Sequence, residues 1–391
     1  MAAFFWAFMQ GFQSVAMVGI FVSSLAWLVP NHYMPWLGAW NEAVSITGLL
    51  LMLLAIVVDR VHRPALSRTL IAVIGLSSSV IVIQFLTGKL HFAGDALLAL
   101  LYVGLWGGAL LAGRYISSHV EAPKLLAILA TSWGIAAFVS VVIALNQWTG
   151  AVNLQIYSAD LPIGGRPFAN LAQPNHFCSL CFIGLCGLLL LFEKRLLGAL
   201  SASLVASVLL VGMVSSQSRT GWLQISLLLF CILVARRQGV FHANWLAVGA
   251  LGAIYALLVL TWNSICSFLM LPIGRLSTEQ IQPGVRIPYW REMIDAIGHH
   301  PFSGYGWLQT GLAQQQVAVD HQPIGALFDY SHNLVLDLIL WMGLPVSVVI
   351  VSLLTWWLVG RIRASKNSSA VIMLITISGM LAHAMLEYPL A

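Results

Sequence analysis

Two short stretches place side chains that can do chemistry at the ends of long apolar runs. The stretch SSQSRTGW, residues 215–222, carries Arg219 between two apolar runs, and YSHNLVLDLI, residues 330–339, places His332 directly before another. A guanidinium binds phosphate oxygens with two parallel hydrogen bonds, and a histidine can take a proton from a hydroxyl near neutral pH. The two stretches therefore predict one site that holds a diphosphate and activates a hydroxyl.

Both residues also have ordinary structural interpretations. A lone arginine at a helix end reaches lipid headgroups, and a lone histidine at a helix start acts as a hydrogen-bonding cap. Around Arg219, however, three serines and a glutamine form a polar row that lipid contact would not favour. His332 stands at the end of a long loop, where function concentrates. An ionisable group at the membrane margin is a functional candidate by default, so we keep both.

Three further arginines are candidate ligands of the diphosphate. Arg286 and Arg291 flank IPYW, and their spacing of five residues turns them to different sides of a helix. Arg291 is followed four residues later by Asp295, the spacing of an ordinary helix salt bridge. Arg286 precedes Pro288 and is expected on a loop, so it is the stronger candidate. Arg166 lies in GGRPFANLAQPNH, a loop rich in glycine, proline and amides, where structural and functional roles are equally open.

The composition predicts an integral membrane protein built from helices. Of 391 residues, 60% are hydrophobic and only 8% are charged, whereas a soluble domain carries roughly 25% charged residues. The net charge of +5 comes from cations scattered between apolar runs, so it indicates no nucleic-acid partner. We expect an all-α polytopic membrane protein in which residues 1–391 form a single transmembrane domain.

Apolar runs predict eleven membrane-spanning helices. They lie near 11–30, 42–58, 69–87, 96–113, 125–147, 176–192, 196–215, 220–235, 245–270, 340–360 and 368–386. The first has no basic leader and no cleavage site, so we expect it to be retained. The odd number leaves open whether a twelfth helix or a further domain follows Ala391, which gives about 11–12 helices in all.

The longest connection runs from about residue 271 to 332 and is predicted to carry part of the site. Within it, PYWREMIDAIGHH predicts a short helix with Trp290, Met293, Ile294 and Ile297 on one face, and PFSGYGW predicts a tight turn. The opposite connections are short and hold no nucleotide-binding sequence, which argues against an ATP-driven pump. The histidines show no zinc-binding spacing, and the CSLC of an apolar run is interpreted as small apolar filler.

Several strings together resemble one known family. RPFANLAQPNHF, SQSRTGW, HHPFSGYGW, YSHNLVLDLILWMG and LEYPL are similar in order and spacing to the O-antigen ligase and polymerase superfamily. That superfamily includes the lipopolysaccharide O-antigen ligases, the Wzy-type polymerases and the pilin-type O-oligosaccharyltransferases. The resemblance covers roughly residues 70–391.

The resemblance implies a GT-C-type glycosyltransferase in the bacterial inner membrane, with its active site facing the periplasm. Its donor would be a glycan linked to undecaprenyl diphosphate, transferred en bloc with inversion and without metal, cofactor or nucleotide sugar. Arg219 and Arg286 would hold the donor diphosphate, and His332 would activate the acceptor hydroxyl. The arginines would stabilise the leaving diphosphate in place of a metal.

The acceptor is the open question. We expect an O-antigen ligase that transfers to a hydroxyl of lipid A–core. The alternatives are a pilin-type O-oligosaccharyltransferase, whose acceptor is a serine or threonine, and a Wzy-type polymerase. RPFANLAQPNHF and LEYPL look most like the oligosaccharyltransferases, but that branch usually continues into a soluble part, and this sequence ends at Ala391. A carrier or flippase that binds the same lipid without chemistry would need the arginines but not His332.

The distribution of basic residues predicts the orientation in the membrane. Alternating the spans puts six basic residues on one side, namely Lys89, Arg166, Arg219, Arg275, Arg286 and Arg291. The other side receives twelve: Arg60, Arg63, Arg68, Arg114, Lys124, Lys194, Arg195, Arg236, Arg237, Arg361, Arg363 and Lys366. The richer side is expected to be cytoplasmic.

Cysteine labelling tests this orientation. A cysteine introduced beside Arg286 should react with a membrane-impermeant reagent in intact spheroplasts, and one in RIRAS, residues 361–365, should react only after lysis. The positive-inside rule is the physical reason. Absence of labelling beside Arg286 in intact spheroplasts would contradict the predicted orientation.

Overall fold

The computed structural model describes residues 2–30, 34, 38–59, 63–152, 154–161, 164–241, 244–273 and 286–387, with side chains except those of 2–13 and Trp245. Its α-helices are α1 (Ala2–Leu25), α2 (Ala39–Val58), α3 (Arg68–Leu86), α4 (Ala93–His119), α5 (Ala122–Thr149), α6 (Pro174–Glu193), α7 (Ala199–Ser215), α8 (Arg219–Arg237), α9 (Trp245–Phe268), α10 (Arg286–His299), α11 (Thr310–Val317), α12 (Leu334–Met342), α13 (Leu344–Ala364) and α14 (Ser368–Ala384). Arg60, Arg275, residues 274–285 of the long connection, and YPL of LEYPL lie outside the described residues.

The prediction of an all-helical polytopic membrane protein is confirmed. Within the described ranges, eight helices are long and apolar enough to cross a membrane: α2, α3, α4, α5, α6, α8, α9 and α13. Three shorter apolar segments, in α1, α7 and α14, occupy the remaining predicted spans. A helix of 17 residues, such as α7, extends about 26 Å, a little less than the ~30 Å hydrocarbon core of a bilayer.

The long connection folds into helices of its own. The predicted short helix is confirmed as α10, but its buried side consists of Tyr289, Glu292, Met293 and Ala296. Ile294, expected on that side, is 60% exposed. The expectation that Arg286 lies on a loop is wrong, because it is the first residue of α10. Pro288 permits this, since N–H groups of a first helical turn have no helical acceptor to lose.

Two large hydrophobic cores and a smaller one hold the helices together. The first core joins α5, α6, α7, α8, α9 and α14. The second joins α3 and α4 to α10, α11, α12 and α13. A smaller cluster packs α1 and α2 against α4 and α5. The long connection therefore belongs to the second core and stands beside the first.

The predicted tight turn, PFSGYGW at 301–307, docks on the junction between α12 and α13. The backbone N–H of Tyr305 donates to the carbonyl of Leu340 at 2.6 Å, and that of Leu344 donates to the carbonyl of Pro301 at 2.7 Å. These bonds satisfy backbone groups at a helix end and a helix start, which otherwise need water or a side chain. The turn and the junction are thereby fixed to each other.

A glutamine of α3 ties the turn and the junction to the second core. Gln84 donates from Nε2 to the carbonyl of Trp341 at 2.7 Å and accepts at Oε1 from the N–H of Trp307 at 3.0 Å. Gln84 is buried, with 5% of its surface exposed. A buried amide that meets backbone donors and acceptors on two segments holds both in register.

Gly343 is the residue on which this docking most depends. Its φ of +78° lies in the left-handed region, and a Cβ there would stand 2.3 Å from the carbonyl oxygen of Phe302. Gly343→Ala should therefore lower the apparent melting temperature in detergent, with strain of roughly 1–3 kcal/mol from the backbone conformation alone. Gly298→Ala in α10 is the control, because a Cβ there meets nothing within 4 Å. Equal melting temperatures for the two variants would contradict the prediction.

Candidate active site

A buried carboxylate, that of Glu387, lies where α6, α10, α12 and α14 come together. Only 6% of this residue is exposed. The guanidinium of Arg286 contacts Oε1, to which Asn175 also donates from Nδ2 at 2.7 Å. Nδ1 of His332 lies 3.3 Å from Oε2. One carboxylate thus brings together a cation, an amide and an imidazole from distant parts of the sequence.

The first core supplies one wall of this site. Glu387 follows the end of α14, and its N–H donates to the carbonyl of His383 at 2.8 Å, so the helical turn is continued. Asn175 is the second residue of α6, after Pro174 in the first turn. Proline is tolerated there because the N–H it lacks would have no helical acceptor. The end of α14 therefore lies beside the start of α6.

The second core supplies His332, which precedes α12. The cap of that helix is Asn333, whose Oδ1 accepts from the N–H groups of Val335 and Leu336. His332 is therefore not the cap of this helix, which was the ordinary structural interpretation of this residue. His332 adopts φ +57°, a left-handed conformation that is uncommon outside glycine and asparagine. Such strain concentrates at functional sites.

Side chains of α10 hold the backbone that leads to His332. The hydroxyl of Tyr289 donates to the carbonyl of Tyr330 at 3.2 Å, and Nε1 of Trp290 donates to the carbonyl of Ser331 at 2.8 Å. Because α10 also begins with Arg286, this helix sets the position of the arginine and of the histidine together. The relative position of Arg286 and His332 therefore depends on α10 and on the backbone segment that Tyr289 and Trp290 hold.

Arg219 and Arg166 meet at the turn between α7 and α8. Arg219 is the half-buried first residue of α8. Nη1 of Arg166 donates to the carbonyls of Ser216 and Gln217, at 3.2 and 3.3 Å. Arg166 thus binds helix-end carbonyls of this turn, a structural role. The start of α8 also presents its N–H groups and positive dipole end, which favour an anion.

These residues lie at one end of the helix bundle. The loop before α6 contacts the turn before α8 through Arg166 and Ser216, so α6 and α8 start at the same end. The start of α6 contacts the end of α14 through Asn175 and Glu387. Arg219 therefore shares this end with the Glu387 carboxylate. Convergence of Arg219 and Arg286 on one diphosphate stays a prediction.

Behind the site, a polar seam runs into the apolar bundle. We use this term for Ser179, Gln224 and His383, together with the carbonyl of Gly379. Nε2 of Gln224 donates to Ser179 Oγ at 2.8 Å and to the Gly379 carbonyl at 3.2 Å, and Ser179 Oγ lies 2.7 Å from His383 Nδ1. The three side chains are buried. Hydrogen bonding among them lowers the cost of placing polar groups in an apolar surrounding, and Oε1 of Gln224 and Nε2 of His383 are left without a hydrogen bond among the described residues.

The surroundings of His332 favour its neutral form. Burial, and then the positive charge of Arg286, lower the pKa of His332 from the usual 6.5. Both effects act in the same direction, because each disfavours the imidazolium. A neutral imidazole near pH 7 is the form required of a general base.

The structure brings Arg286 and His332 together and leaves Arg291 apart. Five residues along α10 correspond to a rotation of about 140°, and Arg291 is exposed on a different side of the helix. The expected salt bridge with Asp295 is not the contact observed, since Asp295 lies 3.0 Å from His321. A role of Arg291 or Arg166 in binding diphosphate stays a prediction.

Sequence reasoning missed Glu387 and Asn175. Both lie inside strings that carry the family resemblance, LEYPL and RPFANLAQPNHF, yet neither was singled out. The available signal was the carboxylate itself, because a glutamate at the end of an apolar helix needs a partner. Asn175 followed a proline at the start of an apolar run and had no such signal.

Two family models match parts of this chain. A family model described as O-antigen ligase matches residues 202–351, and one described as protein glycosylation ligase matches residues 167–192. The first range contains Arg219, Arg286 and His332, and the second contains Asn175. No solved structure matches this chain.

Two curated relatives, both from Acinetobacter baylyi, match most of the chain. The ComP-specific O-oligosaccharyltransferase is 28% identical over 385 residues, 95% of this chain and 67% of the relative. The General O-oligosaccharyltransferase is 28% identical over 386 residues, 94% of this chain and 65% of the relative. The chain spans about two thirds of the length of these relatives. On the family matches and these relatives together, this chain is similar to the O-antigen ligase superfamily.

Proposed function

We propose that this protein transfers a glycan en bloc from undecaprenyl diphosphate to a serine or threonine hydroxyl of a protein, such as a pilin. The observation that carries the proposal is the meeting of Arg286 and His332 at one carboxylate, at the bundle end where Arg219 begins α8. A phosphate-binding cation and a base at one place are the two groups that this transfer needs.

Each residue has a distinct role in the proposed reaction. Nε2 of His332 takes the proton of the acceptor hydroxyl as its oxygen attacks the anomeric carbon. The bond between that carbon and the diphosphate oxygen breaks, and undecaprenyl diphosphate leaves with the bonding electrons. Arg286 and Arg219 stabilise the negative charge on the leaving diphosphate, without a metal. Attack opposite to the leaving group inverts the configuration at the anomeric carbon.

The acceptor proposed here differs from the one expected from the sequence. From the sequence, lipid A–core is the expected acceptor. The two relatives described above are both O-oligosaccharyltransferases, and each matches over more than nine tenths of this chain. This likeness favours the protein acceptor. Lipid A–core and a lipid-linked repeat remain the alternative acceptors for the same donor and the same site.

The setting of the proposed reaction is the periplasmic face of the bacterial inner membrane. The twelve-to-six division of basic residues supports this orientation. The connection from 271 to 332 contributes the arginine that begins α10 and the histidine that precedes α12. It would therefore carry half of a site whose other half lies on the transmembrane helices.

Replacing His332 separates an enzyme from a carrier. His332→Ala should reduce transfer by about 10²–10⁴-fold, the usual contribution of general-base catalysis, while donor binding persists. His332→Asn is a second variant, because asparagine tolerates the left-handed backbone and still lacks a base. The measurement is transfer by purified protein in the presence of a chelator, with a pilin and a lipid A–core acceptor offered in parallel.

The arginine variants complete this experiment. Arg219→Ala and Arg286→Ala should weaken donor binding as well as turnover. Lysine at either position should restore only part of the donor binding and turnover, because it lacks the two-pronged geometry of the guanidinium. His321→Ala and Arg363→Ala, outside the site, are the controls. Full transfer by His332→Ala would refute the base assignment. Transfer to lipid A–core but not to the pilin would refute the proposed acceptor.

The pH dependence of transfer tests the state of His332. Its pKa is lowered by burial and by Arg286, so the neutral, active form persists to lower pH than for an ordinary histidine. In kcat/KM for the donor, which reports the free enzyme, the fall in rate on the acid side should therefore be centred below pH 6.5, the unperturbed value. A pH–rate profile with its acid limb centred above that value would contradict this prediction.

A further inference from the structure

The Glu387 carboxylate is shared unequally between its partners. Arg286 and Asn175 both bind Oε1, whereas Oε2 faces Nδ1 of His332 at 3.3 Å. That ring nitrogen is buried, and the approach of the carboxylate leaves it without a hydrogen bond of good geometry. The arginine and the amide therefore set the orientation of the carboxylate, and the histidine receives a poorly aligned contact.

A histidine that acts as a base through Nε2 needs its proton on Nδ1. A carboxylate that accepts from Nδ1–H holds this tautomer and stabilises the imidazolium that forms. The Oε2 atom of Glu387 is the nearest carboxylate oxygen that the structure gives to His332. Catalytic hydrogen bonds are often long in the free enzyme and shorten when substrate binds.

The same arginine cannot fully serve two anions. In the proposed reaction Arg286 binds the donor diphosphate, which carries more negative charge than the carboxylate it contacts here. A second anion also repels a carboxylate that stays on the shared guanidinium. Donor binding thus weakens the contact that now orients the Oε1 atom of Glu387.

We propose that Glu387 is a positioning residue. When a polyprenyl diphosphate binds Arg286, the Glu387 carboxylate shifts from the arginine to Nδ1 of His332, so that the base is aligned only in the donor complex. The inference rests on the proposed function of this site. The movement is small, because Oε2 already faces the imidazole and Asn175 remains bonded to Oε1. The backbone of Glu387 stays fixed through its bond to His383.

Glu387→Gln distinguishes this role from that of a passive anchor. Glutamine keeps a hydrogen-bonding oxygen for Arg286 but removes the charge that competes with diphosphate. Donor binding, measured with a polyprenyl-diphosphate-linked glycan, should be unchanged or tighter than in the wild type. Turnover at saturating donor should fall at least about 10²-fold, because the histidine loses the group that fixes its tautomer.

Two results with Glu387→Gln would overturn the inference. If Glu387→Gln weakens donor binding as Arg286→Ala does, the carboxylate only holds the arginine in place. If its turnover equals that of the wild type, the carboxylate does not act on His332. Glu387→Asp, which keeps the charge on a shorter side chain, should recover more turnover than glutamine. Asp295→Asn, an exposed carboxylate of α10 paired with His321, should change neither quantity.

A spectroscopic measurement separates this inference from the proposed function. In protein labelled with ¹⁵N-histidine, adding undecaprenyl diphosphate should shift the ring resonances of His332 toward the form protonated at Nδ1. The shift should be absent in Glu387→Gln, and His332→Asn assigns the signal. A shift without glycan transfer would refute the proposed transfer reaction but keep the inference that donor binding moves Glu387 onto His332. Transfer with no shift in the wild type would refute only the inference that donor binding moves Glu387 onto His332.

Discussion

The arrangement depends on one buried negative charge. A carboxylate with 6% of its surface exposed must be paired and hydrogen-bonded, because an isolated buried charge costs several kcal/mol. The Glu387 carboxylate meets this requirement with three partners: Asn175 from the first core, and Arg286 and His332 from the second. Breaking a buried pair by removing one partner costs roughly 3–5 kcal/mol. The charge therefore joins two independently packed groups of helices at the place where chemistry is proposed.

Helices position these side chains, although each side chain lies at or next to a helix end. Arg286 begins α10, and the tyrosine and tryptophan that follow it on this helix hold the backbone before His332. The turn at 301–307, fixed by Gln84, sets the junction of α12 and α13. Helix ends have unsatisfied backbone groups and can approach a charged ligand, while the helices behind them supply the stiffness that a site needs.

Hydropathy was sufficient to locate the apolar helices, because each apolar run is local and nearly continuous. Eight of the eleven predicted spans coincide with described helices long and apolar enough to cross a membrane. Arg286 and His332 could also be singled out as candidates, since ionisable side chains stand out in an apolar sequence. The structure places both at the Glu387 carboxylate, and their roles in the reaction stay predictions. The helix α11 was not predicted. Its sequence, TGLAQQQV, has little apolar periodicity, and burial of Ala313 and Val317 in the second core accompanies its folding.

The partners within the site could not be predicted from one sequence. Glu387 and Asn175 are 212 residues apart, and no local pattern relates them. Likewise, the spacing of Arg291 and Asp295 predicted a salt bridge, but the tertiary fold offers Asp295 a histidine instead. Local spacing predicts which contacts a helix allows, and packing decides among them.

The polar seam has a consequence for the order in which the protein assembles. Ser179 on α6 meets His383 on α14 across 204 residues of sequence, so the ribosome completes α6 long before its partner exists. Until α14 enters the membrane, Ser179 and Gln224 can bond to each other but not to His383 or to the Gly379 carbonyl. A chain that stops short of α14 therefore lacks the hydrogen bonds that His383 and the Gly379 carbonyl supply to this seam, and these polar contacts form only when the last described helix packs against α6 and α8.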